Sequence, residues 1–313
     1  MEHVTAEQLF QACAAGDEGV CRSWLAQGGD PNQLSSELRT PLAWAANCGH
    51  ERLVQLLLDS GADASVGDAQ GELPLHRACL NGHLSCVSLL LERDEGTADV
   101  ASAAGMLPLH CAALEQSVAV VERLCRLSSL SPNRRDSEGF TALHYAASHG
   151  AAAVVAALCE DSRVDLNRGD RDEGSTALMH AAREGREEVL RLLLAHGASL
   201  DSRNVYGFAA IDYAELPNVV HLLSNCVELE MECDCTQPGE RLLLMWRDWT
   251  LESAVQLHTS PALFPVWRGV ATDVTQPEEF KLAVSDGLSV RWESGSNRRG
   301  SPLERRWRQR FRP

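Results

Sequence analysis

The stretch RTPLAWAANCGHERLVQLLLDSGAD, residues 39–63, decides the fold. It reads as a turn, a short Ala-rich helix, and a second, Leu-rich helix that closes on Gly-Ala-Asp. Gly49 and Gly61 sit where helix ends favour a positive φ. The same pattern returns as ELPLHRACLNGHLSCVSLLLE (72–92), MLPLHCAALEQSVAVVERLC (106–125), FTALHYAASHGAAAVVAALCE (140–160) and STALMHAAREGREEVLRLLLAHGAS (175–199). Superposing them aligns Leu42, Leu75, Leu109, Leu143 and Leu178 at intervals of 33, 34, 34 and 35 residues. Ile211 in FAAIDYA follows after 33, and Leu9 in EQLFQACAAGD precedes Leu42 by 33.

A period this regular marks a stack of small helical units that bury their apolar faces on one another. The Ala pairs 45–46, 112–113, 146–147 and 181–182 let neighbouring helices approach closely, and the Leu-rich helices fill the layer between units. These residues resemble the ankyrin repeat over 1–224, about seven units with degenerate caps at both ends. An α-helical ankyrin-repeat solenoid is therefore expected. Residues 102–105 and the pair Gln116-Ser117 depart from the motif, so the fourth unit is expected to be looser.

The 313 residues, 44% of them hydrophobic, suffice for two or three domains. A formal charge of -16 disfavours a general nucleic-acid or anionic-membrane partner, which most of the surface would repel. The eleven cysteines show no regular pairing, and several lie in Ala-rich helices as small apolar side chains, which suits a reducing compartment. The start MEHVTAEQLFQACAAG lacks a signal peptide's basic and apolar regions, and no run of about 18 apolar residues occurs. A cytoplasmic protein is expected.

His76, His110 and His144 recur at one motif position, one per unit, where each imidazole is expected to bond the turn backbone of its own or the next unit in preference to a metal. No HExxH, paired CxxC, GxSxG or GxxxxGK[ST] pattern supports catalysis, and no cofactor is implied. By resemblance, the stack binds an unidentified protein through hairpin tips and its concave, inner-helix face. The matching tip positions are Arg39, Glu72, Met106, Phe140, Ser175 and Phe208; the inner-face positions include Asn47, Asn81, His149 and Arg183. Phe140 and Phe208 either anchor an interface or pack on an adjacent turn.

After Cys226 the helical period stops. VELEMECDC (227–235) alternates apolar and acidic residues as a half-buried strand does, and RLLLMW, WRGVAT, EEFKLAV and LSVRWES read as further strands of a small sandwich or barrel. Five of the seven tryptophans fall beyond residue 245. Together RDWTLESAVQLHTSP, VWRGV, EEFKLAV and VRWESGSNRR resemble the family-20 starch-binding module over 227–298. That resemblance implies a small all-β immunoglobulin-like sandwich that stacks glucose rings on Trp249 and Trp292, with Lys281, Glu293 and Asn297 bonding hydroxyls. Trp267 matches a possible second sugar site, but no tyrosine occurs after Tyr213 to complete it. Residues 299–313, dense in arginine, are read as a solvated, poorly ordered tail in preference to a nuclear or RNA-binding one.

Two functions follow. The first is a non-enzymatic adaptor that docks on an α-glucan, starch or glycogen, through the β-region and on a protein through the repeats. The second is a protein-interaction scaffold whose β-region has lost sugar binding. A hydrolase or glucan phosphatase is disfavoured, since the β-region is too short to add a catalytic domain and no Cys-x5-Arg loop is present.

Overall fold

A computed structural model describes residues 4–224 and, beyond them, the backbone of seven β-strands. The residues group into two compact units, one up to residue 173 and one from residue 174.

In the first unit five helix pairs follow one another. They are α1 (Ala6–Ala15) with α2 (Glu18–Ala26), α3 (Pro41–Asn47) with α4 (Glu51–Asp59), α5 (Pro74–Leu80) with α6 (Leu84–Arg93), α7 (Pro108–Leu114) with α8 (Val118–Cys125), and α9 (Ala142–His149) with α10 (Ala152–Glu160). First helices pack on first helices and second on second, so two layers enclose the Ala/Leu core. Leu9, Leu42, Leu75, Leu109 and Leu143 are all buried there.

Local chemistry sets each helix start. Thr40 Oγ1 accepts the N–H of Ala43 at 3.1 Å, and Pro41, which has no N–H to satisfy, occupies the first turn. His76 Nδ1 accepts the Leu73 N–H at 3.1 Å, while its Nε2 donates to the Met106 carbonyl of the next repeat at 2.9 Å. His110 repeats the device, accepting from Leu107 at 3.0 Å and donating to Arg134 and Phe140 carbonyls. The expected backbone role of these imidazoles is thus what is found, and it requires the neutral ring. Burial pushes the pKa of both below the ordinary histidine value.

A second set of bridges runs through the turns between paired helices. His50 Nε2 donates to the Ala14 carbonyl at 2.9 Å and His83 Nε2 to the Asn47 carbonyl at 3.2 Å. The rings lie so close that a Cβ at Gly16 or Gly49 would stand 2.7 or 2.6 Å from them. In the fourth repeat Gln116 holds the glycine position at φ 60, yet α7 and α8 form like their neighbours. The backbone departure there is confined to the turn at Gln116.

In the second unit α11 (Ala177–Arg183) packs on α12 (Glu187–Ala195) and on a 3-10 turn at Ala210–Tyr213, which α13 (Pro217–Ser224) covers. Leu178 is buried at 1% exposure, but Ile211, aligned with it by the period, is 38% exposed. A single 3-10 turn replaces the first helix here, so Ala209 and Ala210 face the core in its place.

From residue 225 the strands are β1 (Val227–Glu232), β2 (Arg241–Met245), β3 (Val255–Thr259), β4 (Val266–Ala271), β5 (Lys281–Ser285), β6 (Val290–Trp292) and β7 (Arg308–Arg312). All pairings are antiparallel, β1 with β4 and β7, β2 with β3 and β5, β3 with β4, and β5 with β6. β7 falls inside the arginine-dense stretch 299–313 read as a tail, and its register sets Arg308, Arg310 and Arg312 opposite Glu232, Glu230 and Glu228.

Candidate protein-docking surface

At five of the connections between helix pairs the chain makes a five-residue hairpin of constant geometry. The N–H of Ser35, Asp68, Ser102, Asp136 and Asn204 closes on the carbonyl four residues ahead, at 2.9–3.0 Å. The side chain of the opening residue stiffens the loop. Asp68 Oδ1 accepts the N–H groups of Gln70 and Glu72, Asp136 Oδ1 that of Phe140, and Asn204 Oδ1 those of Tyr206 and Phe208. Gly71, Gly105, Gly139 and Gly207 supply the positive φ near the end of the loop; in the first hairpin Leu38 adopts it at φ 57.

This geometry moves the tips. Arg39, Glu72, Met106, Phe140 and Phe208, expected at the tips, are the return legs, and the residues before them project. Ser175, at the matching position, is fully buried. Arg39, Glu72 and Met106 are half-buried. Phe140 is half-buried too, its ring 5.5 Å from that of Tyr145 and 6.0 Å from that of His144, so it packs on its own repeat. Phe208 stays 48% exposed beside Tyr206 and Val205, which are 65% and 69% exposed. Val205 and Tyr206 lie outside the expected tip positions because the repeat motif aligns on the return leg.

On the first-helix face, the structure brings Asn47 and Asn81 together, Asn81 Nδ2 donating to Asn47 Oδ1 at 3.3 Å. His149 is exposed and Nδ1 donates to the Tyr145 carbonyl at 2.9 Å. Arg183 is exposed, its guanidinium 4.8 Å from the centre of the Tyr213 ring.

In three repeats the same motif position locks the hairpin. Arg77 Nη2 donates to Asp68 Oδ2 at 2.7 Å, and the Tyr145 hydroxyl donates to Asp136 Oδ2 at 2.5 Å. Asn204 Nδ2 donates to the Tyr213 hydroxyl at 2.6 Å. Burial works to raise the Asp68 pKa, but Arg77 and two backbone N–H groups outweigh it and hold the carboxyl below its usual range. Burial, and then Asp136, pushes the Tyr145 hydroxyl up. In the second repeat the position belongs to Trp44, whose buried Nε1–H has no acceptor among the described residues. Arg39 packs on that indole at 5.1 Å and pairs with Glu37 at 3.0 Å and Asp68 at 3.5 Å.

The residues expected to hold sugar lie differently. Lys281 opens β5, Trp292 closes β6 and Trp267 belongs to β4, where only the backbone is described. Trp249, Glu293 and Asn297 lie outside the described residues. Among the described residues no His/Cys/Asp/Glu group is arranged to hold a metal, and no helix is long and apolar enough to cross a membrane. Burial pushes the thiols of Cys86 and Cys125 up to about 11 and those of Cys111 and Cys159 to about 12, which favours the protonated thiol.

The family model for ankyrin repeats matches three times, over residues 9–102, 96–170 and 162–236. The chain belongs to the ankyrin-repeat family, whose fold typically serves as a non-enzymatic scaffold for protein–protein interaction. It is similar to the human ASB11 ankyrin repeat domain, with 27% identity and a TM-score of 0.58 over 67% of this chain and 91% of that one. The ankyrin repeat domain of Bcl-3, a member of the IkappaB family, shares the fold with 22% identity and a TM-score of 0.61, over 70% and 98% of the two chains. A curated relative, the E3 ubiquitin-protein ligase KEG of Arabidopsis thaliana, is 44% identical over 69 residues, 22% of this chain but 4% of that protein.

Proposed function

We propose that this chain is a cytosolic docking scaffold that binds a protein partner through its hairpin tips and first-helix face. The observation that carries the reading is the exposed trio Val205, Tyr206 and Phe208 on one tip. Large apolar side chains on a stiff loop present contact area at little entropic cost, the usual character of an interface anchor. The proposed layout is a repeat array over 1–224, a β-region over 227–298 and a basic extension over 299–313. The tagged 313-residue chain is expected to retain a partner from lysate that a Tyr206→Ala/Phe208→Ala variant of unchanged melting temperature does not. Equal retention by both would overturn the role of this tip.

A second reading has one observation in its favour, the W-E-x-x-x-N-R sequence from Trp292 to Arg298. It makes the scaffold an adaptor on an α-glucan, with Trp249, Trp292, Lys281, Glu293 and Asn297 as the sugar contacts. Family membership supports the scaffold and does not extend to this reading. Granular starch or glycogen is expected to pull down the chain but not its Trp292→Ala variant; chain left in solution would remove the glucan role and leave the scaffold.

A further inference from the structure

A groove of about 540 Å³ lies between α1 and the first hairpin, with Phe10, Ala14, Leu34 and Trp44 among its apolar lining and Glu7 and Glu37 as its charged residues. We propose that it receives a short peptide segment of the partner protein, an apolar side chain entering against Phe10 and Trp44 while a neighbouring lysine or arginine meets Glu7 and Glu37. This rests on the scaffold reading and assigns the chemistry of one of its contacts.

Three observations converge. First, the position of Trp44 has a structural task in three other repeats, where Arg77, Tyr145 and Tyr213 each hydrogen-bond the opening residue of their hairpin; in the fourth it is the small Cys111, and Ser102 Oγ has no partner among the described residues. Trp44 makes no such bond, and Ser35, its counterpart, accepts only from the backbone N–H groups of Glu37 and Arg39. The indole is therefore released from the lock and borders the groove. Second, a buried indole N–H ordinarily finds an acceptor, and that of Trp44 has none, so hydrogen bonding within the fold does not account for a tryptophan here. Arg39 packs on the ring and fixes it as a flat apolar wall. Third, both charged residues of the lining are carboxylates, Glu37 shared with Arg39 at 3.0 Å and Glu7 with no ion pair among the described residues, and the volume lies within the range of roughly 300–1,000 Å³ typical of ligand pockets. An acidic rim around an apolar floor is complementary to a basic-apolar segment and repels an acidic one.

The test is a random dodecapeptide phage library panned on the full chain, with selected peptides then synthesised with fluorescein and titrated by anisotropy. The proposal expects winners that share an apolar residue with a lysine or arginine within two positions. Their affinity should fall about tenfold in Glu7→Gln/Glu37→Gln and in Phe10→Ala, and weaken with added salt. Glu7→Gln alone, on an exposed side chain, should show part of that loss without disturbing Arg39. Tyr206→Ala/Phe208→Ala should bind the peptides unchanged, which separates this groove from the tip. Winners without basic residues, binding indifferent to Glu7 and Glu37, or no retained peptide would each overturn the groove and leave the tip-dependent scaffold standing.

Discussion

The hairpins at 35–39 and 136–140 close with the same backbone bond, at 3.0 and 2.9 Å, and differ in what their side chains do. At 136–140 the buried Asp136 accepts the Phe140 N–H and the Tyr145 hydroxyl, Gly139 supplies φ 89, and Phe140 folds back on Tyr145. At 35–39 Ser35 replaces the aspartate, Leu38 takes the left-handed conformation at φ 57, Leu34 and Leu38 stay exposed, and Trp44 makes no lock. The first arrangement spends its side chains on stability. The second leaves apolar surface and an unpaired donor, the state that the proposed groove requires.

Substitutions break this contrast most directly. Asp136→Ala should destabilise the chain by about 3 kcal/mol, because it orphans a backbone donor and a half-buried hydroxyl together. Ser35→Ala should cost about 1 kcal/mol, since it removes only backbone acceptance by a hydroxyl. Urea midpoints at pH 7.5 measure both, and equal losses would erase the distinction. Gly139→Ala should cost roughly 2 kcal/mol, since its Cβ would lie 2.4 Å from that of Arg171 at a φ that L-residues avoid.

Acidification sharpens the comparison at the imidazole bridges. The folded pKa of His76 and His110 lies below the ordinary value of about 6.5. As pH falls, the unfolded chain takes up protons first, so stability is full above about 6.5 and is lost as pH drops toward the folded pKa. Each histidine can contribute a loss of up to about 1.4 kcal/mol per pH unit in that window, so the urea midpoint should fall between pH 7.5 and 5.5. A midpoint flat across that range would contradict the neutral, doubly bonded rings. The smallest effect is expected at Leu38→Gly, a gain of about 0.5 kcal/mol as relieved left-handed strain offsets added chain entropy, read as a small rise in melting temperature.

The sequence reveals most of the repeat array because period and core are one fact. Leu42, Leu75, Leu109, Leu143 and Leu178 are buried since each anchors the same layer. Ile211 shows the limit, for spacing does not reveal that a 3-10 turn has replaced a helix beneath it. The proposed docking surface is legible in the sequence only to within one to three residues. The motif identifies the hairpin, but the closing bond decides which residues project, and that placed Val205 and Tyr206 outside Phe208. Trp44 was hidden for another reason, because its meaning comes from comparison with the lock that its counterparts Arg77, Tyr145 and Tyr213 make to a residue nine positions earlier, a contact the apolar period does not display.

Photo-crosslinking in cells tests the docking claim most directly, with benzoylphenylalanine placed at Ser36 and Tyr206 beside the tips and at Gln55 on the exposed side of α4. The scaffold account predicts a discrete protein adduct from Ser36 and Tyr206 and none from Gln55. Adducts confined to Gln55, or equal at all three positions, would contradict it.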